Sequence, residues 1–363
     1  MDLGNVSRDG VRPVVVRIPV EPVEAAMEAD ALDAVHSAGE VAVRGPLFGV
    51  VAQTAEDGQR WRAVTSITAP FPQISRDTLY SRLWFRAKDE AKDRAERRAL
   101  LAAVARLETE PVDELTVLGT RYRIVRAEEW AGSGAGGIEL PRPTDPEPLS
   151  PDWSVSSREP EVDAGLVLDP DAPLTPAQAT ERLALRDFVY AGSRFPDFVI
   201  RESRRARQTH PDVVLLPTTF TVAERDGKGW EPASRPHTTA LGARKSLDFF
   251  LTWLEPRTRG LIPVEADRLV DARTVTAADP GADPVLFAYA EASERLRSGR
   301  VNQLEVLDIT YRIIRTRRML RWGPDGPEGP RPSDTSDHGP ERIHPRLDED
   351  GVVHRDDTEQ DED

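Results

Sequence analysis

The sequence predicts an α+β protein of two tandem pseudo-repeated modules, each ordered helix, strand, strand, helix, strand around a mainly antiparallel sheet, with a disordered acidic C-terminal tail. Three observations predict it. Residues 112–145 lie on residues 301–334 without a gap at an offset of 189, and 15 of the 34 positions are identical, the kind of self-similarity that marks repetition. Asp57-Gly58 and Asp226-Gly227 stand between strand-like runs at an offset of 169, and such turns join antiparallel neighbours. A length of 363 residues exceeds the usual size of a single domain.

The elements follow in order. In the first module Pro22 opens a helix and Gly39 stops it; in the second, Thr175 is the N-cap, Pro176 the first helical residue, Gln178 the third member of a capping box, and Gly192 the stop. This alignment leaves the second module with two insertions, one near residues 195–211 and one within 257–283. A strand follows in each module, 41–53 and 213–224, and the Asp-Gly pair returns the chain into a second strand near Trp61 or Trp230. Residues 76–107 read as one helix behind Ser75, with Glu90/Arg94 and Asp93/Arg97 spaced for ion pairs and an alanine stripe at 87, 91 and 95. Its counterpart is 243–254, and a further helix covers 285–297. The last strand of each module alternates around Tyr122 or Tyr311, and 13–20 reads as an extra strand with no counterpart. The modules span 12–138 and 173–334, separated by an acidic, proline-rich linker at 139–172 and followed by the tail at 335–363.

Charge narrows the choice of partners. The net charge is −15, yet residues 1–138 carry −3 and 173–334 carry +3, so the acidity belongs to the linker (−7) and the tail (−8). Such segments stay solvated, and they make a nucleic-acid or anionic-membrane surface an unlikely expectation. No window has the 18 or more apolar residues of a membrane helix, and residues 1–12 lack the apolar core of a secretory signal. The expected compartment is the cytoplasm. The absence of cysteine excludes disulfides, thiolate metal sites and a cysteine nucleophile.

The candidate chemistry is sparse. Six histidines at 36, 210, 237, 338, 344 and 354 show no metal-ligand spacing, and neither a cofactor nor a metal is indicated. Arg201, Arg204, Arg205 and Arg207, beside His210, form a basic cluster that suits a small anion or else a solvated helix face that balances the acidic segments. Arg123 and Arg126, and their matches Arg312 and Arg315, sit three apart on strands, so each pair divides between the two faces; a buried member needs a carboxylate partner. Gly132 to Gly137 lacks the Lys-Ser/Thr ending and following helix of a phosphate loop and reads as a connector. Trp61/Trp230 and Trp84/Trp253 read as core, and the two Pro-Arg-Pro-Thr/Ser-Asp runs as extended straps over the modules.

Arg44-Gly45-Pro46-Leu47-Phe48-Gly49, Tyr122-Arg123-Ile124-Val125-Arg126 and the run from Gly323 to Pro332 resemble a family of uncharacterised proteins of high-GC Gram-positive bacteria, a domain of unknown function. The resemblance covers most of residues 12–334 and implies no activity, cofactor or catalytic residue. With no catalytic constellation in view, the expected function is non-enzymatic binding of an unknown protein or a small anionic ligand. The alternative is an enzyme with a carboxylate and arginine site in the cleft between the two modules.

Overall fold

The computed structural model describes residues 11–37, 40–134, 136–154, 159–225 and 229–354. Helix α1 (Pro22–Ser37) leads into the long strand β1 (Glu40–Gln53), which the short β2 (Trp61–Ala63) joins. Helices α2 (Pro72–Phe85) and α3 (Arg94–Thr109) follow, then the hairpin β3 (Glu114–Val117) and β4 (Thr120–Gly134) with its return β5 (Gly137–Ile138). The connecting segment adds β6 (Val167–Leu168), α4 (Pro176–Arg186) and α5 (Asp197–Thr209). Next come β7 (Asp212–Arg225), β8 (Glu231–Pro232), α6 (Ala240–Phe249), α7 (Glu255–Thr258), α8 (Ala272–Ala278) and α9 (Pro284–Ser298). A hairpin of β9 (Gln303–Val306) and β10 (Ile309–Gly323) returns through β11 (Gly326–Pro327), and β12 (Arg346–Leu347) with β13 (Val353–His354) closes the described chain.

Strands β1 to β11 form one antiparallel sheet with the path β6-β2-β1-β4-β10-β7-β8. β4 runs beside β1 from Gln53↔Arg121 to Glu40↔Ser133, and β10 beside β7 from Thr310↔Arg225 to Trp322↔Asp212. Between these pairs, β4 and β10 meet over only four residues, Arg317↔Trp130 to Leu320↔Ala127. β3, β4 and β5 stand 189 residues before β9, β10 and β11 at both ends of each strand. At the middle of the crossing, Glu129 therefore faces Arg318, the residue 189 positions further on.

Alternation along the two central strands sorts the cores. Tyr122 and Ile124 lie under α2 and α3 with Leu79, Leu83, Leu100 and Leu107, while Tyr311 and Ile313 lie under α6 and α9 with Leu247, Leu286 and Leu296. Further along the same face, Trp130 and Met319 meet Leu185 of α4. The opposite face buries Val51, Trp61, Val125, Ala127, Leu320 and Trp322. There the Arg318 guanidinium, fully buried, holds both oxygens of Asp163 at 2.8 Å and adds the carbonyls of Ile67 and Pro217.

Several elements differ from the sequence-based expectation, each for a local reason. The helix expected over 76–107 breaks at 91–93, because Asp93 turns out as an N-cap and accepts from the Glu96 backbone N–H at 2.8 Å. The Asp57 side chain likewise folds back onto Thr54 through its N–H (2.9 Å) and hydroxyl (2.8 Å), so a longer 3₁₀ turn replaces the two-residue hairpin; the matching Asp226-Gly227 lies outside the described residues, as does Gly39. Residues 13–20 contribute a single parallel bridge, Val16↔Leu174, rather than a strand. α4 does begin with the Thr175/Gln178 capping box. Yet α5, placed by the sequence in an insertion, is the helix that stands directly before β7, as α1 stands directly before β1. The match of Pro22 to Pro176 rested on a helix-start signal that any helix can carry.

The two acidic segments also differ from the solvated chain expected of them. Between 139 and 172, Val162, Asp163 and Leu168 are buried and β6 pairs with β2. In the expected disordered tail, Leu347 is 6% exposed within the α2–α3 core. The His344 ring stacks on Trp84 at 4.7 Å and on Tyr80 at 5.5 Å, and Trp84 Nε1 donates to the Pro345 carbonyl at 3.1 Å. Arg98 holds Glu349 at 2.7 Å. Average composition hides these few anchors; residues 355–363 lie outside the described residues.

Candidate functional site

Where β4 and β10 cross, each strand leaves a gap between its hairpin partner and the other strand, and the strap that follows the other strand fills it. The Glu139 N–H donates to the Gly132 carbonyl (2.8 Å) while its carbonyl accepts from Arg315 N–H (2.9 Å). Glu328 does the same 189 residues on, donating to Arg321 (2.9 Å) and accepting from Arg126 N–H (3.0 Å). Each strap then turns tightly, Asp145 accepting from the Arg142 N–H and Asp334 from the Arg331 N–H, both at 2.7 Å. The turn aims an aspartate at an arginine of the opposite strand. Arg126 Nε reaches Asp334 at 2.8 Å and Arg315 Nε reaches Asp145 at 3.1 Å.

This crossing creates two stations with different contents. At the first, Arg126 is ion-paired to Glu128, and Arg331 approaches the same carboxylate at 3.3 Å. Tyr190 fills the remaining space: its hydroxyl donates to Glu128 Oε2 at 2.5 Å and accepts from Arg126 Nη2 at 3.2 Å, and Phe195 stacks on its ring at 4.4 Å. Burial acts to raise the Glu128 pKa, but Arg126 and Arg331 outweigh it and hold the carboxyl below its ordinary range. Burial raises the Tyr190 hydroxyl, with Glu128 adding to the effect. It therefore stays a hydrogen-bond donor.

At the second station Arg317 stands 189 residues beyond Glu128, so an arginine takes the carboxylate's place. Its guanidinium binds Glu181 of α4 at 2.9 Å and Glu139 at 3.3 Å and lies 5.9 Å from the Trp130 ring, with Nε buried and unpartnered. Arg315 adds a bond to Thr218 at 3.0 Å. In place of an aromatic plug there is a cleft of about 460 Å³, walled by Trp130, Arg315 and Arg317 and roofed by Met27 of α1 and Gln178 of α4. Each carboxylate on the wall is engaged. Glu24 accepts from Arg17, Glu28 from the Ala177 N–H, Asp145 from Arg315 and Glu181 from Arg317.

The candidate residues from the sequence do not form one site. Arg126 is sealed at the first station and Arg315 lines the cleft at the second. Arg123 lies over Trp61 at 5.0 Å on the opposite face, and Arg312 over Trp230 at 4.9 Å. The expected division between faces therefore holds, but both faces are covered at β4, and Arg123 finds its carboxylates in Glu114 and Asp325. Arg201, Arg204 and Arg205 occupy the exposed face of α5, away from the cleft. His210 caps the end of that helix, bonds the Thr209 hydroxyl at 2.9 Å, and is lowered in pKa by burial. It does not join the arginines.

Tyr190 and the seating of α1 and α4 over the cleft are what sequence reasoning missed. The only signal was the Glu128/Arg317 exchange inside an otherwise matching block, because α1 and α5 share no identities that mark them as equivalent. Among the described residues no three His, Asp or Glu side chains converge as a metal site requires, and no helix is long and apolar enough to cross a membrane.

No curated protein and no solved structure matches the chain. A family of unknown function (DUF5954) matches residues 21–337, from the start of α1 to just past the second strap. With both long hairpins, both crossing straps and all of the cleft lining except Arg17 inside that interval, this chain belongs to the family of unknown function DUF5954.

Proposed function

We propose that this protein arose by internal duplication and binds, without transforming it, a small planar anion in the cleft of the second station. The duplication is supported by the constant offset of β3–β5 from β9–β11 and by the reciprocal straps. One observation carries the ligand reading: the first station is filled by the Tyr190 ring, whose hydroxyl donates to Glu128, whereas the second has a cleft and Arg317. A donor complements a carboxylate; an acceptor complements a guanidinium. The ligand is accordingly an aromatic or heteroaromatic ring with a carboxylate, its ring against Trp130 and its acid group toward Arg317, whose Nε lacks a partner while Glu181 and Glu139 hold the other two nitrogens. The four carboxylates on the wall already accept hydrogen bonds, three of them from arginines, which supports binding over proton transfer by a carboxylate.

The test is titration with benzoate and phenylacetate against their neutral amides, read by melting temperature and tryptophan fluorescence. The acids are expected to raise the melting temperature and the amides to leave it unchanged, with the effect lost in Arg317→Gln. Equal responses to acid and amide, or an undiminished response in Arg317→Gln, would sink the reading.

A further inference from the structure

A second pair of equivalent places lies on the other face of the sheet, independent of the cleft. Trp61 is buried beneath two guanidinium groups, Arg121 at 5.2 Å and Arg123 at 5.0 Å from its ring. Both arginines grip the carboxylate of Asp325: Arg121 Nη1 and Nη2 at 3.0 and 2.6 Å, Arg123 Nη2 at 2.5 Å. Arg123 Nη1 also donates to the Asp325 backbone carbonyl at 3.0 Å, and Glu114 adds a second carboxylate, 2.5 Å from Arg121 and 2.6 Å from Arg123. This cradle is satisfied by charges of its own chain.

Trp230 is likewise overlaid by two guanidinium groups, Arg225 at 5.0 Å and Arg312 at 4.9 Å. Here neither carboxylate has a counterpart at the 189-residue offset. Gln303 replaces Glu114 at the 189-residue offset and accepts from Arg312 Nε at 2.7 Å, while Gly136 replaces Asp325. The backbone half of the contact survives, since Arg312 Nη1 donates to the Gly136 carbonyl at 3.0 Å, matching Arg123 with Asp325. Among the described residues no carboxylate pairs with Arg225 or Arg312. Burial and then the neighbouring Arg225 lower the Arg312 pKa, as expected where a cation lacks its counter-charge. Trp230 and Arg312 are half-buried and Arg225 is exposed, so the place is reachable from solvent.

We propose that Trp230, Arg225 and Arg312 form a binding site for a carboxylate group supplied from outside the chain. Asp325 in its cradle serves as the internal template: a carboxylate at the tip of a Gly-Pro-Asp-Gly turn, clasped by two guanidinium groups above an indole. An aspartate in a turn of a partner protein fits that template, and so does a free small carboxylate; the chemistry they share is a planar anion matched to paired N–H donors. The omission of the side chain at 136 leaves the place open. Nothing lies within 4 Å of where a Cβ at Gly136 would stand, so the backbone there has room to carry a side chain.

The experiment uses the full chain, ¹⁵N-labelled, with the Trp230 indole N–H resonance assigned through Trp230→Phe. Three probes are titrated: a terminally blocked Gly-Pro-Asp-Gly-Pro peptide, its Asn counterpart, and acetate. The Asp peptide is expected to shift the Trp230 resonance saturably and the Asn peptide to bind at least tenfold more weakly. Gly136→Asp and Arg312→Gln should each weaken the Asp peptide tenfold or more, the first by occupying the cradle and the second by removing a clasp. Tighter binding of the Asp peptide than of acetate assigns the site to a partner's turn; equal affinities assign it to free carboxylates. The proposal is overturned by equal affinity for the Asp and Asn peptides, by full binding in Gly136→Asp, or by no shift of Trp230 at all.

Discussion

Asp334 accepts a 2.8 Å hydrogen bond from Arg126 Nε although the two stand 208 positions apart, and both side chains are almost wholly buried. The strap that carries Asp334 follows β10, while Arg126 belongs to β4, so this pair ties the end of one hairpin block to the middle of the other. Asp334→Ala leaves a buried guanidinium short of one partner. It is expected to cost about 3–5 kcal/mol in urea unfolding, the range for a broken buried pair. Asp145→Ala should cost less, because Arg315 keeps Thr218 and is slightly more exposed. Equal losses at the two sites would show that the straps matter only through their backbone bonds.

Deleting residues 341–363 should lower the melting temperature by several degrees, since it removes Leu347, the His344 stack and the acceptor of Trp84 Nε1 together. Leu347→Ala alone should cost about 2–5 kcal/mol, as for other buried leucines. Glu349→Ala removes only exposed ion pairs and should stay within about 0.5 kcal/mol of the parent. A truncated protein as stable as the full chain would show that the tail is not seated in solution.

Tyr190→Phe keeps the ring and deletes the donor to Glu128, for an expected loss of about 1–3 kcal/mol. Tyr190→Ala should open at the first station a cavity that p-cresol refills, raising the melting temperature of that variant and leaving the parent unmoved. Indifference of the alanine variant to p-cresol would argue that the station collapses when emptied.

Glu159 supplies a pH test. Burial acts to raise its pKa from the ordinary 4.5, but hydrogen bonds from His237, Thr238 and the Thr239 N–H at the start of α6 bring it down to about 2. Folding thus favours the ionised form, so this contribution is fully present above pH 4.5 and is lost as the pH falls from there toward 2. The difference in unfolding free energy between the parent and Glu159→Gln should shrink across that window. A constant difference would place the origin of the effect elsewhere.

Replacing Arg201, Arg204, Arg205 and Arg207 with Gln is expected to change neither stability nor nucleic-acid binding, which should be absent from the parent at about physiological ionic strength, where screening over roughly 8 Å suppresses loose attraction. The first three are exposed, and Arg207 pairs with Asp187, also exposed. Micromolar, salt-sensitive binding of an oligonucleotide to the parent, lost in the fourfold variant, would move the function to that surface.

What was legible in the sequence was what neighbours decide. The last strands around Tyr122 and Tyr311, the capping box at Thr175 and the helix over 285–297 depend on residues a few positions apart, and the structure has them close to where the pattern put them. The cleft was not legible, because it depends on where α1 and α4 settle and on which strap crosses to which strand. Arg315 and Arg123 were singled out as arginines in need of carboxylates. Their partners, Asp145 and Asp325, are 170 and 202 positions away, beyond any periodicity. The tail misled through averaging, since three or four anchoring side chains do not raise the apolar content of a 29-residue segment.

The crossing of the straps also sets a timetable for synthesis. When β4 leaves the ribosome, Arg123 and Arg126 have none of the carboxylates that the second hairpin block will bring them, and Asp334 follows Arg126 by 208 residues. At roughly 5–20 residues per second that is a wait of about 10–40 s. During this interval Arg123 and Arg126 have only Glu114 and Glu128 of their own block as partners, and β4 has an open edge where β10 and the second strap will lie. The nascent chain is accordingly expected to need shelter from a chaperone, or a slow enough escape from the tunnel, until its last strand arrives.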